Sequence, residues 1–578
     1  MFGNIEIQFS YIREATSKKV SFSNQYSNED FEAICKIDKN KNIENFTLVI
    51  NPKAQLVIDE LIIRMPYKFK ESHRIFMNGY QSWTDSKEFF IDDKIRTISS
   101  LAKPVIKKYQ FHKYGDYTFK KYSRKKGELH GYTYTYIREG ENLDLLGSLS
   151  EKSGFTIFEV NTKENKVIIN KECKGLSINS AYIPFKLFYE NGKEKEVFDS
   201  YFQAMNIPKP RFKPATGWTS WYNYYQDINQ EVILENLNNF KAFNKEIEFF
   251  QIDDGYQTAV GDWLSIDAKK FPKGMKYIAE TIKKNGHKAG IWLAPFVCEK
   301  NSEIFKSKQH WLLRDEKGEA VLAGSNWSSF YALDIYNSEV REYLQRVFSV
   351  MLDQWGYDMV KLDFLYAVCL VPRKDKTRGQ IMTEAMEFLR EIVGDKIILG
   401  CGVPLGPAFG LVDYCRIGCD VSLDWDDKFY MRKLHRERVS TLNSIGNAIG
   451  RRHLDGRAFL NDPDVFLLRE ENIYLNETQK ETLAMVNNIF GSLLFTSDNL
   501  KNYKARQFDV YDKAMDLKDI KIESVENYKN GIVEIIYIEE KNKYLLLINL
   551  KDSTVSYSSD LLKDKVQLSA YSSKVEEI

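Results

Sequence analysis

A chain of 578 residues is too long for one ordinary domain, and two or three with sizeable cores are expected. Lys plus Arg number 82 against 81 Asp plus Glu, with neither sign gathered in one half; this excludes the electrostatic footprint of a nucleic-acid or anionic-membrane binder and leaves a small or neutral partner. Seven scattered Cys without a CxxC pair, seven isolated His without HExxH or HxH, no basic-then-apolar leader and no apolar run of membrane length predict a reduced, soluble, cytoplasmic protein with no metal and no organic cofactor.

In chain order, residues 1–203 read as short alternating runs rich in Ile, Val, Phe, Tyr and Thr, such as IEIQFSYI, NFTLVINP and KVIINKE, each closed by Gly, Asn, Asp or Lys clusters. This predicts an N-terminal β-sandwich. Three prolines in the stretch from Ala204 to Trp218 break both periodicities and mark a semi-rigid connection into a second domain, 204–502. There, short apolar runs alternate with amphipathic stretches such as Ser338 to Gly356. The runs lie at 215–221, 248–254, 288–296, 357–364, 396–402, 414–420, 457–464 and 492–498. Eight buried strands separated by helical patterns are the arithmetic of a (β/α)8 TIM barrel, with a doubly wound open sheet as the alternative. From about residue 505 alternation returns in GIVEIIYIEE and KYLLLINL, predicting a small C-terminal antiparallel β-domain over 503–578.

Six of the eight runs end in polar, ionisable or aromatic residues: Trp218 and Trp221, Asp253 and Asp254, Trp292, Lys361 and Asp363, Arg416 and Asp420, Asp462 and Asp464. In a closed barrel these ends converge on one mouth. Plainer roles stand beside that one. A strand-end Asp can cap the next helix, a Trp can fill the barrel, and Arg416 with Asp420 can be a structural ion pair. Lys361 and Asp363, two apart on a strand, share a face, and an ammonium beside a carboxylate favours the ionised form that a nucleophile needs. Asp420 is then assigned the proton. Two carboxylates with opposite demands match glycoside cleavage, and retention of configuration sets them about 5–5.5 Å apart. The vicinal Asp253 and Asp254 suit two hydroxyls of one sugar, or a cap followed by a turn at Gly255.

The segments GWTSWYNYY, FFQIDDGYQ, GIWLAPF, MVKLDFLY, LGCGVPLGPAFGLVDYCRIGCD and LNDPDVFLLR, in this order along nearly the whole barrel, resemble glycoside hydrolase family 36, and within it the shorter bacterial α-galactosidases of the Thermotoga type. The resemblance implies a retaining exo-α-galactosidase acting by double displacement on oligosaccharides such as raffinose or melibiose. Asp363 would be the nucleophile and Asp420 the general acid/base. Asp253 and Asp254 would bind the 4- and 6-hydroxyls, with Trp292 and Trp221 lining the pocket. Lys361 and Arg416 would hold hydroxyls and tune the two catalytic carboxylates, Cys401 and Gly402 would sit by the 2-substituent, and Asp464 near the pocket. In the N-terminal sandwich, MNGYQSWTDS resembles the family loop over the barrel mouth, which makes Trp83 a lid residue. Two departures stand out: Cys419 replaces the Pro of the usual RIGPD, and CGVPLGP replaces the CSGGG of the larger tetrameric members. Tetramer assembly is thus not implied, and a monomer or small homo-oligomer is expected. The alternatives within the family are an α-N-acetylgalactosaminidase and an α-galactosyl transferase. A non-catalytic sugar-binding module is disfavoured because binding alone does not call for two opposed carboxylates.

Overall fold

The computed structural model describes residues 1–99, 102–426, 435–562 and 564–578. The N-terminal part consists of two antiparallel sheets of seven and eight strands. Their alternating sequences bury one face: in Lys166–Lys171, Val167 and Ile169 turn inward and pack with Phe9, Leu48, Leu61, Ile63 and Leu187 in a core between strands of both sheets. The eight-stranded sheet also has a second apolar face. Tyr134, Tyr136, Leu143, Leu145 and Phe188 on it join Val197, Phe198 and Tyr201 of the helix Glu194–Ala204, and these merge with the core of the next part of the chain.

The proline-bearing connection is stapled rather than loose, with Arg211 ion-paired to Asp413 at 2.9 Å and the Lys213 carbonyl accepting from Tyr414 Oη at 2.6 Å. Beyond it, eight parallel strands follow: β1 Ala215–Thr219, β2 Phe249–Ile252, β3 Lys288–Leu293, β4 Met359–Leu362, β5 Ile397–Gly400, β6 Tyr414–Arg416, β7 Leu460–Asp462 and β8 Leu493–Thr496. Each falls within one of the eight apolar runs. Segments such as FFQI, IILG and LLFT are buried on both faces, as parallel strands between a filled interior and a ring of helices must be. β1 pairs with both β2 and β8, and the ring closes where the Ser492 amide donates to the Asn461 carbonyl at 2.9 Å. It is a closed (β/α)8 barrel, not an open sheet.

Two features depart from expectation. A three-stranded antiparallel insert, Val297–Glu299, Leu322–Gly324 and Phe330–Ala332, stands between β3 and the helix Ser338–Ser349. The C-terminal strands begin only at Ile520, because residues Ala505–Met515 form a helix whose Arg506 bridges Glu477 and Glu481 of the barrel helix Glu477–Phe490. The strands Ile520–Asn527, Ile532–Glu539, Asn542–Asn549 and Ser573–Glu577 then make one antiparallel sheet. Among the described residues, no helix is long and apolar enough to cross a membrane.

Candidate active site

The C-terminal ends of the barrel strands surround a cavity of about 410 Å³. Asp363 follows β4 directly. The strand ends at Leu362, and Phe364 takes a left-handed φ of 52°, so the chain turns sharply and brings the Asp363 side chain over the barrel axis. One carboxylate oxygen accepts from the Phe364 amide at 2.8 Å, the other from Trp292 Nε1 at 3.1 Å. Asp363 is only 8% exposed. Burial raises its pKa above the ordinary carboxylate range, Lys361 opposes that, nearby Asp420 adds to it, and hydrogen bonds from Trp292 and Cys401 oppose it.

Asp420 lies past the end of β6 on the same cavity, with 36% of its side chain exposed, and its Oδ1 accepts from Arg416 Nη1 at 2.8 Å. Each nitrogen of Arg416 meets a carboxylate, with Nε 3.0 Å from Asp462 and Nη2 2.7 Å from Asp464. At the end of β2, Asp253 accepts from Lys361 Nζ at 2.7 Å. Burial works against the Lys361 ammonium, but Asp253 outweighs it and the pKa ends above the usual lysine value. Asp254 is held by Gln226 Nε2 at 2.9 Å, Gln257 Nε2 at 2.5 Å and Trp327 Nε1 at 2.8 Å, and burial still raises its pKa against these donors.

Trp83 reaches this cavity from the N-terminal sandwich. It is 9% exposed, buried not under its own sheets but against the barrel, with Nε1 donating to Cys401 Sγ at 3.3 Å and its ring edge-on to Phe364 at 5.1 Å. Cavity walls thus come from two parts of the chain. An aromatic-walled hollow with five carboxylates, one ammonium and one guanidinium suits a polyhydroxylated ligand, since such walls pair hydroxyl groups while rings cover the sugar's C–H faces.

A melibiase profile matches residues 207–390, from the connection through the helix after β4. The fold is similar to that of an α-galactosidase from Thermus thermophilus solved with stachyose, at 26% identity and TM-score 0.66 over 83% of this chain and 99% of that one. The first half of the barrel is thus similar to the melibiase family. Similarity to other α-galactosidases is weaker in sequence or covers less of the chain. A family 36 α-galactosidase of Geobacillus stearothermophilus superposes with TM-score 0.63 at 10% identity over 95% of this chain and 81% of its own. An α-galactosidase of Lactobacillus acidophilus is 26% identical over 250 residues, 41% of this chain, and one of Escherichia coli is 26% identical over 168 residues, 28% of it. These two alignments span 32% and 23% of the curated relatives' own lengths.

Within this site, the expected residues separate into layers. Trp83, Trp221, Asp253, Asp254, Trp292, Lys361, Asp363 and Asp420 line the cavity. Arg416, Cys401, Gly402 and Asp464 do not; they support the residues that do. Arg416 is spent on three carboxylates, so it holds Asp420 rather than a sugar hydroxyl. Asp464, 1% exposed, is ion-paired behind it and accepts from the Val421 amide at 2.7 Å. Gly402, at φ 57°, lies beneath the Trp83 indole, where a Cβ would come within 2.8 Å of Cζ2. Lys361 ion-pairs with Asp253, not Asp363, because Asp363 has left the strand and the shared-face argument fails there. Trp218 fills the core, stacked on Phe250 at 4.3 Å. Sequence reasoning missed Trp327, Tyr114, Phe364 and the wall formed by His435, Glu437 and Arg438. Trp327, in GSNWSSF, carried the same signal as Trp83: a large aromatic ring on a Gly/Ser-flanked loop.

Proposed function

We propose that this protein is a retaining exo-α-galactosidase that removes terminal α-galactosyl residues from oligosaccharides of the raffinose and stachyose kind. The observation that carries the reading is the unequal pair on one cavity: Asp363, buried and gripped by Trp292, and Asp420, partly open and held by Arg416. In the first step an Asp363 oxygen bonds to the anomeric carbon as the bond to the leaving oxygen breaks, and Asp420 gives that oxygen its proton. In the second, Asp420 takes a proton from water, whose oxygen displaces Asp363. Asp253 and Asp254, each already fixed by donors, offer their remaining lone pairs to two ring hydroxyls.

The named relatives support the substrate class, since the Thermus and Geobacillus α-galactosidases were solved with stachyose and with raffinose. Galactose is favoured over N-acetylgalactosamine, since Trp83 covers Cys401 and Gly402, the residues that the resemblance sets by the 2-substituent. All seven cysteines are free, which supports a reducing, cytoplasmic setting. Asp363→Ala should lower kcat for nitrophenyl α-galactoside by about 10³-fold or more, and azide should restore turnover with a β-galactosyl azide product. Wild-type-like turnover by that variant, or rescue without inversion, overturns the reading.

A further inference from the structure

Arg451 is the largest buried cation that the chemistry above leaves unexplained. It follows the helix Thr441–Gly450, is 0% exposed, and among the described residues has no carboxylate within ion-pair distance. Its N–H groups are spent on neutral acceptors instead. Nε donates to Asn78 Oδ1 at 3.0 Å, Nη2 to the Gln81 carbonyl at 3.1 Å, and Nη1 to two carbonyls, Ser82 at 2.5 Å and Ile417 at 2.7 Å. Three of these acceptors belong to the sandwich loop that carries Trp83; the fourth belongs to the strand end that leads to Asp420. Burying a guanidinium without a counter-ion is costly, and burial pulls its pKa down to about 10, so it stays charged at neutral pH.

We propose that Arg451 is a positioning residue that clamps the Trp83 loop to the acid/base segment, so that the sugar cavity has its full wall only while sandwich and barrel are docked. The loop is anchored at both catalytic segments. Arg451 ties it beside Ile417, three residues before Asp420, and Trp83 packs on Phe364, the neighbour of Asp363. The seat is tight: a Cβ on Gly450 would come within 2.6 Å of the Ser86 carbonyl oxygen. Lys has a single nitrogen and cannot span four acceptors set around a planar fork, so Arg451→Lys keeps the charge and loses the clamp.

This rests on the galactosidase reading for its kinetic arm alone. In Arg451→Lys, amides of residues 80–85 should exchange at least about tenfold faster than in wild type while those of the sandwich strand Thr156–Asn161 are unchanged, a measurement that needs no turnover. KM for nitrophenyl α-galactoside should rise about tenfold with kcat within about threefold, and in a Trp83→Phe background the same substitution should change KM less than about twofold, since both act through one wall. Should Arg451→Lys fail to fold, Gly450→Ala disturbs the same seat from the helix side and should reproduce the loop exchange and the KM rise. Wild-type exchange over 80–85 in the folded variant, or KM effects that simply multiply in the double variant, overturns the proposal. Absence of any α-galactoside turnover by the wild-type protein would instead remove the functional reading and leave the exchange result standing.

Discussion

At the scale of single side chains, Arg416 meets three carboxylates with one positive charge, and two of them, Asp462 and Asp464, are 1% exposed. Burial raises the pKa of Asp464 to about 7, with Arg416 opposing and Asp420 and Asp462 reinforcing the rise. The sign follows from linkage. An Asp titrates near about 4 in the unfolded chain, so the folded state binds the extra proton between that value and about 7. The stabilisation is complete below the unfolded value and disappears as pH climbs through the folded one. Wild-type protein should therefore lose roughly 2–4 kcal/mol of stability between pH 4 and pH 8 at this site, while Asp464→Asn should show a flatter profile. Thermal unfolding of both proteins across that range checks it; parallel profiles count against the retained proton. The same cluster explains why Arg416 was readable as a site residue but not as to its task. A spacing of four along the chain suggests contact with Asp420, whereas Asp462 and Asp464 arrive from the neighbouring strand.

At the scale of elements, barrel closure depends on β1, where Gly217 sits between β2 and β8. A Cβ there would come within 2.1 Å of Phe495 Cε1 and 3.0 Å of the Phe249 carbonyl oxygen. Gly217→Ala should cost about 1–3 kcal/mol, read as a lower urea midpoint with little change in slope. An unchanged midpoint would mean that Phe495 can move aside without loss. Most of the barrel was legible because parallel strands buried on both faces are short apolar runs, and FFQI, IILG and LLFT have few other readings. The insert between β3 and the helix after it was not, since its three-residue strands are too short to show a period. Ala505–Met515 was missed although Phe508, Tyr511 and Met515 recur along it at helical spacing. Side-chain partners across strands, such as Lys361 with Asp253, depend on register, which spacing along one strand does not contain.

At the scale of the whole molecule, one continuous core runs from the second apolar face of the eight-stranded sheet, through the helix Glu194–Ala204 and the barrel, to Val525, Val533 and Ile548 of the C-terminal sheet. Parts that share a core cannot unfold separately without exposing each other's apolar surface. Heating should thus give one cooperative transition, with far-UV and near-UV signals coincident; two resolved transitions would show that the sandwich is independent. The exposure difference between the two catalytic candidates has a consequence of its own. Solvent touches Asp420 and scarcely reaches Asp363, so the hollow has a doorway on the Asp420 side. For the reaction proposed, what leaves and what arrives next meet at that doorway in turn. A departing sugar that lingers there bars water, and a crowded supply of sugars outside would compete with water for the vacated threshold.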